Sequence, residues 1–156
     1  MLNIDRLPLT ADQERFLDDM GSFFAGYGLA HPVGRAFGYL LLRNGPVTLD
    51  QIAADLQISK SGASTIARAL SNFRLARRVP ERGSRRIRYE ATSAVDLLIA
   101  SAVEKLTTFV GVLTTGVRAA PAGAPSVRLE ELARITRLYR DAVETALQGV
   151  KDMTAP

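Results

Sequence analysis

The sequence contains no cysteine and only one histidine, His31, among its 156 residues. Without cysteine the chain has neither a disulfide framework nor a thiolate metal site. One histidine gives poor support to a transition-metal site within a single chain. A phosphate-binding loop, a nucleophile elbow and a cluster of histidine with carboxylates are also missing from the sequence. These absences argue against an enzyme and predict that the protein uses no cofactor.

Long hydrophobic runs without charge are missing as well. The most apolar region, residues 94–117, contains Asp96, Glu104 and Lys105, which argue against a membrane span. The first fifteen residues lack the apolar core of a signal peptide. Together with the lack of cysteine, these features predict a cytoplasmic protein that does not enter a membrane.

What the chain does contain is a local excess of basic residues. Apolar residues make up 47% and charged residues 23%, which is typical of a soluble globular protein, and the net charge is only +4. Residues 59–90 hold nine basic residues and two acids, a local net charge of +7, so the remainder sums to −3. A basic patch on a near-neutral protein indicates a partner with a phosphate backbone.

Helical periodicity and capping residues predict a mainly α-helical fold. The predicted helices span about 11–27, 32–43, 49–56, 60–73, 93–118 and 127–149, with Thr10, Thr48, Ser59 and Ser126 as N-caps. Two predicted strands, 76–80 and 86–91, flank a tip that contains Gly83. We therefore expect a winged helix-turn-helix with a small β-hairpin wing and an α-helical dimerisation region. Its expected parts are an N-terminal helix that contributes to dimerisation (1–31), the DNA-binding domain (32–92) and a C-terminal dimerisation region (93–156).

The segment from Thr48 to Glu90 has the residue types that a helix-turn-helix requires. Ala53 is small enough for a close helix crossing, and Ile58 fills the turn. The positions of the second helix predicted to face inward are Ala63, Ile66, Ala67, Leu70 and Phe73. Small or basic residues then face outward from the N-terminal half of the second helix, as insertion into the major groove requires. They are Lys60, Ser61, Gly62, Ser64, Thr65 and Arg68.

The predicted hairpin adds four candidate DNA-binding arginines, Arg82, Arg85, Arg86 and Arg88. Arg85 and Arg86 at the tip are placed to reach a minor groove or the backbone, and Arg82 and Arg88 to position phosphates. Two plainer interpretations stand beside this one. A charge run is commonly a solvated face, and two amphipathic helices with a hairpin also form purely structural or protein-interaction modules.

The same segment resembles the winged helix-turn-helix of the MarR superfamily, and more closely its GbsR-like branch. The resemblance rests on ISKSGAS in the second helix, FRLARRV at its exit and GSRRIRY in the wing. The chain departs from the pattern at Arg74, where a turn glycine is usual, and at Glu90, where the wing usually has a second tyrosine. The resemblance implies a homodimer with two wings that binds a pseudo-palindromic operator on double-stranded DNA, usually as a repressor.

The flanking helices carry more apolar surface than a small winged domain can cover, which predicts a homodimer in addition to intramolecular packing. Aromatic residues between the two parts suggest a site for a small-molecule effector, because some GbsR-like relatives sense small cationic osmolytes and aromatic boxes suit such ligands. The candidates are Phe23, Tyr27, Phe37 and Tyr39. The alternative is that these side chains are ordinary core.

Overall fold

A computed structural model describes residues 8–154, which form two compact units, residues 8–94 and 95–154. The helices are α1 (Ala11–Ala25), α2 (His31–Leu41), α3 (Leu49–Asp55), α4 (Lys60–Asn72), α5 (Val95–Ala119) and α6 (Ala124–Thr154). The strands are β1 (Val47–Thr48), β2 (Ala76–Pro80) and β3 (Ile87–Ala91). The mainly helical fold class with a winged helix-turn-helix is confirmed. Residues 1–7 of the expected N-terminal part and residues 155–156 of the expected C-terminal part lie outside the described residues.

Three of the four predicted N-caps are confirmed. Thr10 and Thr48 each form a capping box with the glutamine three residues later, Gln13 and Gln51. Ser59 Oγ accepts a hydrogen bond from the Gly62 amide at 3.0 Å. Each cap satisfies a backbone N–H that would otherwise lack a partner in the first helical turn. These local contacts explain why α1, α3 and α4 begin where the sequence predicted.

The sheet has three antiparallel strands in the order β1-β3-β2. Tyr89 of β3 lies opposite Val47 of β1 on one side and Arg78 of β2 on the other. Strand β1 was not predicted, because two residues carry no alternating pattern. Thr48 both ends β1 and caps α3, so the wing is joined directly to the start of the helix-turn-helix.

Helices α1 and α2 cross at glycines. A Cβ added to Gly34 would lie 2.7 Å from the Met20 carbonyl oxygen and 2.8 Å from the Gly21 Cα. At Gly21 a Cβ would meet the His31 ring at 2.6 Å. Position 34 therefore requires glycine, because the neighbouring atoms are backbone, whereas at position 21 a side chain would require the exposed His31 ring to move. Nothing in the local sequence pattern predicts this close crossing.

An ion-pair network also holds α1 to α2. Arg35 Nη2 lies 2.7 Å from a carboxylate oxygen of Glu14, and its Nη1 pairs with Asp18. Partial burial by itself lowers the pKa of Arg35, but the hydrogen bonds and charges of Glu14 and Asp18 outweigh it, so the pKa is raised above its ordinary value. Helix α1 therefore belongs structurally with the winged unit.

The second unit consists of α5 and α6, which pack against each other. The prediction that Ser126 caps the last helix was wrong. Helix α6 begins at Ala124, and Ser126 lies inside its first turn, where its hydroxyl donates to the Gly123 carbonyl at 3.0 Å. Pro125 suits this first turn because its missing N–H needs no partner there. The helix also continues to Thr154, beyond the predicted end near Gly149.

Among the large apolar side chains described in the second unit, nine are exposed and only Leu113 is buried. On α6 they include Leu132, Ile135, Leu138 and Tyr139, with exposures between 43% and 67%. Helix α5 is long and apolar enough to cross a membrane by length and composition, with a mean hydropathy of 1.6 over its most apolar window. A single such helix is weak support for a membrane span, because an apolar helix surface also suits contact with another protein.

Candidate nucleic-acid interface

The N-terminal half of α4 presents a polar, convex surface. Lys60, Ser61, Thr65 and Arg68 are exposed, while Gly62 and Ser64 are half-buried. The Thr65 hydroxyl donates to the Ser61 carbonyl at 3.1 Å, and the Ser61 hydroxyl lies 3.2 Å from that of Ser59. All six predicted residues thus lie together on the first three turns of one helix. Their side chains are short apart from Lys60 and Arg68, so the helix backbone can approach a groove floor closely.

The opposite face of α4 anchors it in the core of the unit. Ala63, Ala67 and Leu70 are at most 1% exposed and Ile66 is 9% exposed, as the sequence predicted. Phe73 was also predicted to face inward, and this was wrong, since 38% of it is exposed. Phe73 follows the last helical residue and is the C-cap of α4, so the helical periodicity that placed it inward no longer applies.

The chain leaves α4 through a left-handed residue. Arg74 has φ of +56°, the region that favours glycine, and it occupies the position where the MarR-like pattern has glycine. The following amide of Leu75 donates to the Leu70 carbonyl at 2.8 Å, which closes the helix end. The backbone therefore keeps the shape of a glycine turn although the residue is arginine.

The wing tip carries three exposed arginines, Arg82, Arg85 and Arg86. Gly83, with φ of +76°, turns the chain between the strands. Arg88, the fourth candidate, is engaged inside the unit. Its guanidinium lies 3.0 Å from a Glu81 carboxylate oxygen and donates to the Pro46 carbonyl at 3.4 Å. Arg88 thus joins the wing to the loop before α3, and three of the four wing arginines face solvent.

The wing and the start of α4 enclose one groove of about 340 Å³, which we call the helix–wing groove. Its charged lining residues are Asp50, Lys60, Arg78, Arg85 and Arg86. The structure thereby brings Lys60 of the helix-turn-helix and three arginines of the hairpin, Arg78, Arg85 and Arg86, to a common surface. Four cations in one concavity create a positive potential that attracts polyanions.

A second cluster fixes α3 against α2. The Tyr39 hydroxyl donates to an Asp55 carboxylate oxygen at 2.7 Å, and the Arg43 guanidinium stacks over the Tyr39 ring at 4.4 Å. Tyr39 is fully buried. This cluster sets the position of the first helix of the helix-turn-helix. The sequence analysis missed its role, because nothing in the local pattern links Tyr39 to Asp55, sixteen residues away.

Three of the four aromatic residues predicted for an effector pocket lie around one buried ring, that of Phe24. Phe23 and Tyr27 lie together, with ring centroids 5.3 Å apart, and Phe23 is half-exposed. Phe37 is buried and packs edge-on against Phe24, at 5.4 Å. Tyr39 belongs to the cluster with Asp55 described above. The pair Phe23 and Tyr27 is therefore the part of this set that a ligand can reach.

Within residues 8–154, no group of three or more His, Asp or Glu side chains has a geometry that would hold a metal ion. The chemistry that the described surface offers is hydrogen bonding and cation–anion attraction. The side chains that provide these two interactions lie on α4 and the wing, the two elements with which winged helix-turn-helix proteins contact duplexes.

The fold and this surface together define a winged helix-turn-helix protein, and a comparison with solved structures agrees. A crystal structure described as a transcriptional regulator is 25% identical, with a TM-score of 0.58 over 90% of this chain and 99% of that chain. Structures of MepR from S. aureus also match. One is a MepR–DNA complex, at 18% identity over 84% of this chain and 90% of that chain, with a TM-score of 0.44. At that TM-score the likeness to MepR adds nothing to the argument. No protein-family model and no curated protein matches the chain.

Proposed function

We propose that this protein is a sequence-specific, double-stranded-DNA-binding transcriptional regulator that acts as a homodimer. The observation that carries the proposal is the helix–wing groove, where Lys60 from the start of α4 meets Arg85 and Arg86 from the wing tip. The fold shared with a solved transcriptional regulator supports the same function. The absence of membrane association and a cytoplasmic location are part of this proposal.

In the proposed complex α4 enters the major groove by its N-terminal half. Ser61, Ser64 and Thr65 then meet base edges or nearby phosphates, because their short side chains hydrogen-bond either. Arg68 contacts a phosphate. Arg85 and Arg86 reach the adjacent minor groove or backbone, while Arg88 keeps the wing in place through Glu81 and Pro46.

The homodimer follows from the apolar surface of the second unit. Helices α5 and α6 pack against each other and leave Phe109, Leu132, Ile135 and Leu138 at 43% exposure or more. A second copy of the chain supplies an identical stripe, and a two-fold interface buries both at once. A dimer also places two α4 helices on one duplex. One small module alone buries too little DNA surface for tight specific binding.

The sequence motifs resemble those of the MarR superfamily and of its GbsR-like branch, and we propose that the protein belongs to that branch. Membership implies a pseudo-palindromic operator, a repressor role and release by a small molecule. The exposed pair Phe23 and Tyr27 is the site we propose for such an effector, since a ligand can reach it and aromatic faces bind cationic groups.

The test begins with selection of duplexes from a random library by the purified full chain. Binding of the selected duplex is then measured by fluorescence anisotropy for the wild type and for the double variant Arg85→Ala/Arg86→Ala. We expect the variant to bind more weakly and to lose about 0.9 from the salt slope for each phosphate contact removed.

The matched control is Arg128→Ala/Arg134→Ala, which removes the same charge from exposed positions on α6. It should bind as the wild type does, apart from a small effect of net charge. If the wild type enriches no sequence and binds no duplex at 50 mM salt, the proposed function is wrong. The winged fold would then be a protein-interaction module.

A further inference from the structure

One acid lies among the cations of the helix–wing groove. Asp50, in the first turn of α3, has a carboxylate oxygen 3.0 Å from the Lys60 Nζ across the turn of the helix-turn-helix. The other charged residues that line the groove are Arg78, Arg85 and Arg86. The acid therefore lies among the cations that attract an approaching phosphate.

The pair contributes little to stability. Both side chains are about 70% exposed, with values of 69% for Asp50 and 76% for Lys60, and exposed pairs in water are weak. An acid in a DNA-facing groove also repels phosphates. Its location is thus unfavourable for DNA affinity, and its ion pair with Lys60 gains little for the fold. Asp50 also interacts favourably with the positive N-terminal end of α3, a contribution that Asp12 makes in the same way at the start of α1.

We propose that Asp50 is an intramolecular substitute for a DNA phosphate at Lys60, and that it lowers the affinity of the protein for duplexes in general. The inference rests on the proposed function. While the pair is intact, Asp50 neutralises the charge of Lys60, so Lys60 releases no counterion when DNA binds. A phosphate can pair with Lys60 only by displacing the carboxylate of Asp50. Asp50 thereby limits the sequence-independent part of binding, which would otherwise hold the protein on non-operator DNA.

The experiment uses the full-length protein and a fluorescein-labelled 30-base-pair duplex of mixed sequence. Anisotropy titrations from 50 to 200 mM salt compare the wild type with Asp50→Asn. Because one more lysine becomes free to meet a phosphate, the salt slope should steepen by about 0.9 per bound protomer. Over that fourfold range of salt, each protomer of the variant should lose about 3.5-fold more affinity than the wild type. At 50 mM salt the variant should bind more tightly.

Three controls separate this mechanism from simpler ones. Asp12→Asn removes an exposed, ion-paired acid from the first turn of α1, outside the groove lining. It should leave the slope unchanged. In a Lys60→Met background, Asp50→Asn should no longer steepen the slope, whereas Asp50→Glu should behave as the wild type does.

The outcomes are distinct. If Asp50→Asn matches Asp12→Asn, or if its effect persists in the Lys60→Met background, the inference is overturned even though the protein binds DNA. If no variant or wild-type protein binds any duplex, the proposed function itself fails. A folded state for each variant is checked by its circular dichroism spectrum and melting temperature.

Discussion

The two units of this protein differ in whether their hydrophobic residues are buried or exposed. Of the nineteen hydrophobic residues that are buried in the described chain, seventeen lie in the first unit and only Leu113 and Ala133 in the second. Of the thirteen large hydrophobic residues that are exposed, nine lie in the second unit. The first unit has its own core, whereas α5 and α6 leave a broad apolar surface exposed. Under the proposed function the first unit binds DNA and the apolar surface of α5 and α6 forms the dimer interface.

The largest expected effect is a cavity in the first unit. Leu70 of α4 is fully buried, so Leu70→Ala should lower the free energy of unfolding by about 2–5 kcal/mol. Urea denaturation followed by circular dichroism measures it. At a concentration where the wild type is monomeric, Leu138→Ala, at a position 59% exposed, should cost less than about 0.5 kcal/mol. Equal losses at the two positions would contradict the contrast between the units.

The second prediction concerns the apolar stripe of α6. Ile135→Asp with Leu138→Asp places two charges in the proposed dimer interface, where their desolvation is costly. We expect the dimer dissociation constant to rise by at least about 100-fold in sedimentation equilibrium. Arg137→Asp, at an exposed position of the same helix, should change it little. If the wild type stays monomeric at all concentrations, the proposed homodimer is wrong.

Replacing one glycine in each unit by alanine should change the stability of the protein in opposite directions. Gly34→Ala forces a Cβ against the backbone of α1 at 2.7 Å and should destabilise the protein by about 1–3 kcal/mol. Gly111→Ala, in the interior of α5 with nothing within 4 Å, should stabilise it by about 0.5–1 kcal/mol. Melting curves of the two variants decide the signs. A stable Gly34→Ala variant would show that the helix crossing is not close.

The smallest expected effect is at the exit of α4. Arg74→Gly relieves the left-handed backbone of a non-glycine residue, φ +56°, at some cost in the entropy of the unfolded chain. The net gain in stability should be about 0.5 kcal/mol. Ser71→Gly, inside α4, should instead destabilise by about 0.5–1 kcal/mol. A loss of stability in Arg74→Gly would indicate that the arginine side chain contributes more than the turn costs.

The sequence predicted best where structure is set locally. Helix starts at Thr10, Thr48 and Ser59 follow from caps that act within three residues. Ser126 failed by the same rule, because Pro125 also suits a first turn and the helix begins before it. The bounds of the hairpin strands were correct to one residue.

Features that depend on residues distant in the chain were not predictable. Strand β1 exists because Val47 pairs with Tyr89, and α3 is fixed by Asp55 bonding to Tyr39. The role of Arg88 within the unit, and the meeting of Asp50 with Lys60, also require the folded backbone. Of the candidate site, the sequence predicted the candidate DNA-binding residues of α4 and the wing as two separate segments. Three of them, Lys60, Arg85 and Arg86, line a single groove, which requires the folded backbone.

The salt dependence of duplex binding tests the central claim, that α4 and the wing form a DNA-binding surface, most directly. Arg68, Arg82, Arg85 and Arg86 are exposed on this surface. If each meets a phosphate, the logarithm of the association constant should fall against the logarithm of salt concentration with a slope of about −3.6 per protomer. The duplex selected by the full-length chain is the probe, measured by anisotropy between 50 and 200 mM salt. A slope near zero, or no binding at the lowest salt, would contradict the account.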